Sequence, residues 1–199
     1  MSSLQTTLQN FPYRIILGSA SPRRQELLRS LGFAYTCQPI NADESFAPNL
    51  KAQEIPLYLS AHKSKEFPHA LANDELLITA DTIVWCENQV FNKPANFEEG
   101  MAMLKRLSGR MHEVFTGVTI RSAHNSVSFY DCSKVYFKNL TEEEITYYLT
   151  HYKPYDKAGA YGVQEWIGYV AIEKIEGSFY NVMGLPVKLV YEQLLAFVK

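Results

Sequence analysis

The run Leu76-Leu77-Ile78-Thr79-Ala80-Asp81-Thr82-Ile83-Val84-Trp85 is apolar on both faces. A strand with one wet face alternates apolar and polar residues, whereas a run of this kind is what a central strand carries, covered on both sides. An aspartate sits in its middle. Ionising a carboxylate there costs on the order of several kcal/mol unless a metal, a cation or hydrogen bonds compensate. Such residues cluster at sites of chemistry, which makes Asp81 the strongest single candidate. The alternative is an aspartate that caps a bulge or pairs with a structural arginine. Thr82 beside it could orient a ligand or merely suit a strand.

A second stretch, Arg14 to Gly32, reads as strand, tight turn and helix. Ile15, Ile16 and Leu17 form the strand, Gly18 to Ser21 the turn, and Pro22 onward a helix ended by Gly32, with Ser21 as N-cap and Pro22 at the first helical position. Leu27, Leu28 and Leu31 give that helix its apolar stripe. Arg23 and Arg24 stand in the first turn, where the dipole disfavours cations by about 0.3–1 kcal/mol each. Free backbone N–H groups, the Ser19 and Ser21 hydroxyls and two guanidinium forks would together suit a phosphate chain. Solvated arginines on a surface helix are the other possibility. No Gly-Lys-Ser/Thr follows, so this is not the usual P-loop.

The chain has 199 residues, enough for one large domain or two small lobes. Its 19 Lys and Arg against 21 Asp and Glu give a formal charge of −2, which argues against a nucleic-acid coat or an anionic-membrane binder and leaves room for a local basic pocket. Met1 to Pro12 is polar, with neither a basic start nor an apolar h-region, and reads as a loose lead rather than a signal peptide, followed by a single domain over 13–199. No apolar run approaches the length of a membrane span. Cys37, Cys86 and Cys132 are scattered and odd in number, which suggests free thiols in a reducing compartment, by default the cytoplasm.

Further along, Phe33 to Ile40 is expected as a strand and Asn41 to Ser45 as a polar loop. Glu54 to Glu66 should be a helix on which Leu59 and Lys63 share a face. Lys93-Pro94 lies in a turn, and a helix runs from about Phe97 to Leu107. Met111 to Arg121 and Ser126 to Phe137 alternate as an antiparallel hairpin. Thr141 starts a helix that closes near Tyr152. Tyr155 to Gln164 is a glycine-rich loop, Tyr169 to Ile175 a strand, Phe179 to Met183 a short strand or loop, and Gly184-Leu185-Pro186 leads into the closing helix.

Glu44, with Asp43, adds acid on a loop. Two oxygen ligands from separate segments, completed by substrate phosphates and water, are what Mg²⁺ usually accepts, although such a pair also suits a solvated loop. Lys63 and Lys93 are surface lysines unless they face the site at Arg23 and Arg24. The five histidines show neither His-Glu-x-x-His nor Cys/His zinc spacing, which argues against a catalytic zinc. Ser19 and Ser21 lack the Gly-x-Ser-x-Gly setting of a hydrolase nucleophile.

The blocks Ser19-Ala-Ser-Pro-Arg-Arg24, Asp43-Glu44, the helical Lys63, Ala80-Asp-Thr82, Lys93-Pro94, Ser108-Gly109 with His112, Thr116-Gly117-Val118, Asp156 to Gln164, and Gly177-Ser178 with Asn181 to Pro186 follow one another in order. Together they resemble the Maf family of nucleoside triphosphate pyrophosphatases, from Ile15 to the final helix. The resemblance implies an α/β fold, an elongated mixed central sheet flanked by helices and of inosine triphosphatase-like kind, with two lobes around a nucleotide cleft and commonly a homodimer. It implies hydrolysis of a nucleoside triphosphate to monophosphate and pyrophosphate with a divalent metal, Mg²⁺ or Mn²⁺, in a housecleaning role. Asp156 to Gln164 is similar to the branch acting on dTTP and UTP, and Arg23, Thr82 and Gln164 fall on positions like that branch's specificity determinants.

On these expectations Asp81 is the general base and, with Glu44, holds the metal, while Ser19, Ser21, Arg23, Arg24, Lys63 and Lys93 take the phosphates. Gln164 offers a donor and an acceptor to a pyrimidine edge. One departure stands out: the family often has a glycine after Gln164, which would ease a turn, whereas Glu165 and Trp166 stand here and Glu165 could add a carboxylate near the base. An alternative function is a nucleotide-binding regulator of cell division or septum formation, acting through a partner without turnover. A nucleic-acid-binding module would bind with steep salt dependence and does not suit the near-neutral charge.

Overall fold

Strands and helices alternate along the computed structural model, which describes residue 8 and residues 10–198. The loose lead expected at 1–12 falls largely outside those residues. In chain order the elements are β1 (Arg14–Leu17), α1 (Pro22–Ser30), β2 (Tyr35–Cys37), α2 (Glu54–Lys65), β3 (Glu75–Cys86), β4 (Gln89–Phe91), α3 (Phe97–Leu107), β5 (Met111–Arg121), β6 (Ser126–Phe137), α4 (Glu142–Tyr152), α5 (Trp166–Ala171), β7 (Ile172–Glu176), α6 (Phe179–Met183) and α7 (Val187–Ala196), with a short 3₁₀ turn at Ala158–Ala160.

Among the described residues, seven strands make one sheet in the order β2-β1-β3-β5-β6-β7, with β4 pairing β3 off that path. β1 lies parallel to both β2 and β3, β4 is antiparallel to β3, and β7 is antiparallel to β6 with a register shift at Tyr136/Phe137. The fold is therefore α/β with a mixed sheet flanked by helices, as expected. β3 is its middle strand, and Leu76, Leu77 and Ile78 are fully buried, the outcome that a run apolar on both faces dictates.

The chain divides into two compact units. The first holds residues up to Asp81, Thr116–Asp131 and the end from Gly184; the second holds Thr82–Phe115 and Cys132–Met183. In the first, Ile16, Phe67, Leu71 and Leu77 pack together with Ile40 against them. In the second, a larger core gathers Phe91, Leu104, Phe137, Ile145, Tyr148 and Tyr161 among others.

Helix starts follow their sequence signals. The Asn96 side chain accepts from Glu99 N, and Thr141 and Glu144 close a reciprocal capping box on α4. Three expectations are corrected. The strand expected at Tyr169 to Ile175 is split: Trp166–Ala171 is helical and the strand begins only at Ile172. Phe179–Met183 is a helix, because Gly177 turns the chain at φ 113° and the Ser178 hydroxyl accepts from Asn181 N at 3.3 Å. Only Tyr35–Cys37 of the stretch Phe33 to Ile40 is strand. The short β4 carries no separate sequence signal. Among the described residues no helix is long and apolar enough to cross a membrane.

Candidate active site

In the first unit, β1 ends at Leu17 and the chain turns through Gly18, where an added Cβ would lie 2.7 Å from Ile40 Cδ1 and 2.9 Å from Thr79 Cγ2. The turn is held by Ser21 N donating to Ser19 Oγ at 3.2 Å, and Ser21 caps α1 by accepting from Arg24 N at 3.5 Å. Two candidate phosphate-binding serines thus shape the helix start, and Ser19 is itself buried.

Arg24 turns inward. Its Nε donates to Gly184 O at 2.9 Å and its Nη1 to Ala80 O at 2.8 Å, which ties the helix start to the residue next to Asp81. Burial pulls its guanidinium down from the usual range; Asp81 opposes that, Arg23 adds to it and Glu44 opposes it. Those two carboxylates are the electrostatic counterpart of the cationic helix start, which the helix dipole by itself disfavours.

Helix α2 brings Lys63. Its buried face carries Ile55, Pro56, Leu59, Ser60, Lys63 and Ser64. That face lies so close to β5 that a Cβ on Gly117 would come within 2.3 Å of Pro56 O. Polar ties fix it further: Ser60 Oγ meets Thr119 Oγ1 at 3.1 Å, Thr79 Oγ1 donates to Ser60 O at 2.7 Å, and Arg121 donates to Ser64 Oγ at 3.0 Å and Ser64 O at 2.6 Å. One turn beyond Leu59, Lys63 Nζ then reaches Asp81 Oδ1 at 2.5 Å and Glu44 Oε1 at 2.9 Å. The Lys63 and Asp81 side chains are 10% and 11% exposed, that of Glu44 48%.

Asp43 does something else. Its carboxylate accepts from Ser45 N at 3.0 Å and Ser45 Oγ at 2.5 Å, bonds that hold it below the usual carboxylate range. It shapes its own loop, as aspartates in such turns do. The first unit thus brings together Ser19, Ser21, Arg24, Glu44, Lys63 and Asp81, with Arg23 in the same helical turn. Thr82, Lys93 and Gln164 belong to the second unit.

There, Lys93 stands exposed between β4 and α3, and Gln164 lies near the end of the glycine-rich loop. Gln164 Oε1 is buried with no hydrogen-bond partner among the described residues. Glu165 has φ −98° and ψ 177°, extended backbone open to any residue, so no glycine is needed there. Its carboxylate is engaged within the protein: Oε1 lies 3.0 Å from Lys157 Nζ, and Oε2 accepts from the Tyr148 hydroxyl. The same hydroxyl accepts from Gly162 N at 3.0 Å.

Lys157, buried and also bonded to Asp156 Oδ1 at 2.7 Å, was not singled out from the sequence, although a lysine inside a glycine-rich loop beside an aspartate is a visible signal. Tyr148 gave none, since a tyrosine on the inner face of a helix reads as packing. His112 and Tyr161 stand in the blocks that carry the family resemblance, but their buried contact, Nε2 to hydroxyl at 2.8 Å, has no mark of its own in the sequence.

Fold and side chains together define a mixed-sheet α/β protein in which two carboxylates converge on a buried lysine, beside a helix that starts with two arginines. The chain belongs to the Maf family, whose profile, described as Maf-like protein, matches residues 14–197. It is 52% identical over 186 residues to the dTTP/UTP pyrophosphatase of Parabacteroides distasonis, covering 93% of this chain and 96% of that one. The protein of the same name from Bacteroides thetaiotaomicron is 49% identical, covering 92% and 95%, and that of Cytophaga hutchinsonii 51%, covering 90% and 82%. Among solved structures, the Ham1 protein of Staphylococcus aureus is a remote likeness, 9% identical with a TM-score of 0.40 over 62% of this chain and 71% of that one.

Proposed function

We propose that this protein hydrolyses dTTP and UTP to the monophosphate and pyrophosphate, a housecleaning activity carried out with a divalent cation. The observation that carries the proposal is the convergence of Asp81 and Glu44 on Lys63 beside the arginine-bearing start of α1, in a chain whose relatives bear the name dTTP/UTP pyrophosphatase.

The donor set suits Mg²⁺ or Mn²⁺. Two carboxylate oxygens from separate segments lie within 3 Å of one cationic atom, Lys63 Nζ, and Mg²⁺ is commonly held by one or two carboxylates, with phosphate oxygens and water completing its shell. Glu44 and Asp81 would hold the ion. When bound, it supplies charge neutralisation on the phosphates and a more acidic water.

The chain's own groups do the rest. Asp81 accepts the proton of the attacking water at its carboxylate. Arg23, Lys63 and Lys93 neutralise charge on the phosphates, with Ser19 and Ser21 offering hydroxyls. Arg24 adds positive charge, and its bond to Ala80 O fixes the strand beside Asp81. Gln164, with Thr82 and Arg23, selects the base; its buried Oε1 fits an acceptor that receives the N3–H of a uracil or thymine ring. The free cysteines Cys37, Cys86 and Cys132 suit a reducing cytoplasm, and a homodimer remains part of the proposal, checked by light scattering.

The test is pyrophosphate and phosphate release from dTTP, UTP and dCTP, assayed separately, with Mg²⁺, Mn²⁺ or a chelator. Wild-type protein should release pyrophosphate only with metal, and Asp81→Asn should lower kcat by about 10²–10⁴-fold. Near-normal turnover by that variant would overturn the base assignment, and binding of UTP without release would favour a regulator.

A further inference from the structure

Two points around the end of the glycine-rich loop, Gly162 and Glu165, meet on one side chain of α4. The fully buried Tyr148 accepts from Gly162 N at 3.0 Å through its hydroxyl and donates to Glu165 Oε2. Glu165 Oε1 in turn takes Lys157 Nζ at 3.0 Å, which also reaches Asp156 Oδ1 at 2.7 Å. Gly162 is shaped for this approach, since a Cβ there would lie 2.8 Å from Glu165 Cδ and 2.9 Å from Glu165 Oε2. The residues tied to Tyr148, 162 and 165, straddle Gln164.

We infer that Tyr148 and Glu165 are positioning residues that set the pose of Gln164 and thereby the discrimination between a uracil-like and a cytosine-like base. The inference rests on the proposed base-reading role of Gln164. A lone buried acceptor separates the N3–H of thymine from the bare N3 of cytosine only where it stands at hydrogen-bond distance from that ring edge, and the backbone that carries the side chain sets where it stands. Here both sides of Gln164 are pinned to a hydroxyl on a core helix. Burial, reinforced by the Glu165 carboxylate, raises the Tyr148 hydroxyl far above its usual range, so it remains a donor at every working pH. Glu165 thus serves this chain where the family often has glycine, by accepting two bonds that a glycine has no side chain to accept.

The experiment compares the kcat/KM ratio of dTTP over dCTP in wild type, Tyr148→Phe, Glu165→Ala, Glu165→Gln, Gly162→Ala and Gln164→Ala, with thermal midpoints measured alongside. Tyr148→Phe, Glu165→Ala and Gly162→Ala are expected to lower the ratio about tenfold, the worth of one well-placed hydrogen bond, mostly through KM for dTTP. Glu165→Gln, which keeps an acceptor for Tyr148, should recover most of it. If Gln164→Ala lowers the ratio while Tyr148→Phe and Glu165→Ala leave it unchanged and only lower the midpoint, the network is structural and the inference falls while the base-reading role survives. If Gln164→Ala itself leaves the ratio unchanged, the base-reading role fails and the inference with it.

Discussion

Lys63 carries the tightest electrostatic arrangement in the first unit. Its ammonium serves Asp81, equally buried, and Glu44, half exposed. Removing one partner of a buried pair leaves an uncompensated charge and costs about 3–5 kcal/mol. Lys63→Met is therefore expected to lower stability by about 3 kcal/mol in urea unfolding, Arg24 offsetting part of the loss. Asp81→Asn in the same chain should restore most of it, a coupling that additive behaviour would exclude. Glu44→Gln should cost under about 1 kcal/mol, because its charge is screened by water. Lys63 and Asp81 were both legible in the sequence, one as a lysine sharing a helical face with Leu59, the other as an acid inside an apolar run. The fork of Arg24 on two backbone carbonyls was not, because carbonyls leave no mark in a sequence.

At the level of elements, α2 places Lys63 because its backbone touches the sheet. Gly117 permits that contact: an alanine there would put Cβ 2.3 Å from Pro56 O and 2.6 Å from Leu57 N, backbone atoms that cannot swing aside. Overpacking of this kind costs about 1–3 kcal/mol. Gly117→Ala should lower the thermal midpoint and, by moving α2, reduce kcat as well, whereas Gly109→Ala, which meets the Asn139 side chain within the second unit, should lower stability alone; parallel calorimetry and pyrophosphate release check both. The two serines on the buried face of α2 blur its periodicity, yet its bounds and the shared face of Leu59 and Lys63 are legible in the sequence. α5 and α6 are hidden in the sequence for another reason. Trp, Ile, Tyr, Val and Phe favour strands on average, and in six-residue and five-residue segments that average outweighed the Ser178 cap, which was visible in the sequence.

For the whole molecule, the division into two units left no trace in composition, because β3, β5 and β6 run from one unit into the other and no linker is needed. The interiors do differ in what they bury, and acid should reveal it. His112 is packed edge-on against Phe137 and Tyr161, its Nε2 bonded to the Tyr161 hydroxyl and its Nδ1 without a partner among the described residues. Burial pulls it from 6.5 to about 3. The unfolded chain therefore binds a proton below pH 6.5 that the folded chain refuses until about pH 3, so stability is full above pH 6.5 and falls as pH drops through that window. The slope from this one group is up to about 1.4 kcal/mol per pH unit. Asp43, Asp74 and Glu144 also sit below their usual ranges, but they are exposed and contribute little. His112→Gln keeps a polar atom for Tyr161 and cannot take up a proton. It should be less stable than wild type at pH 7.5, lose less on acidification, and close or reverse the gap by about pH 4.5; parallel curves for the two proteins in urea titrations across that range would show that His112 is not the group that acid attacks.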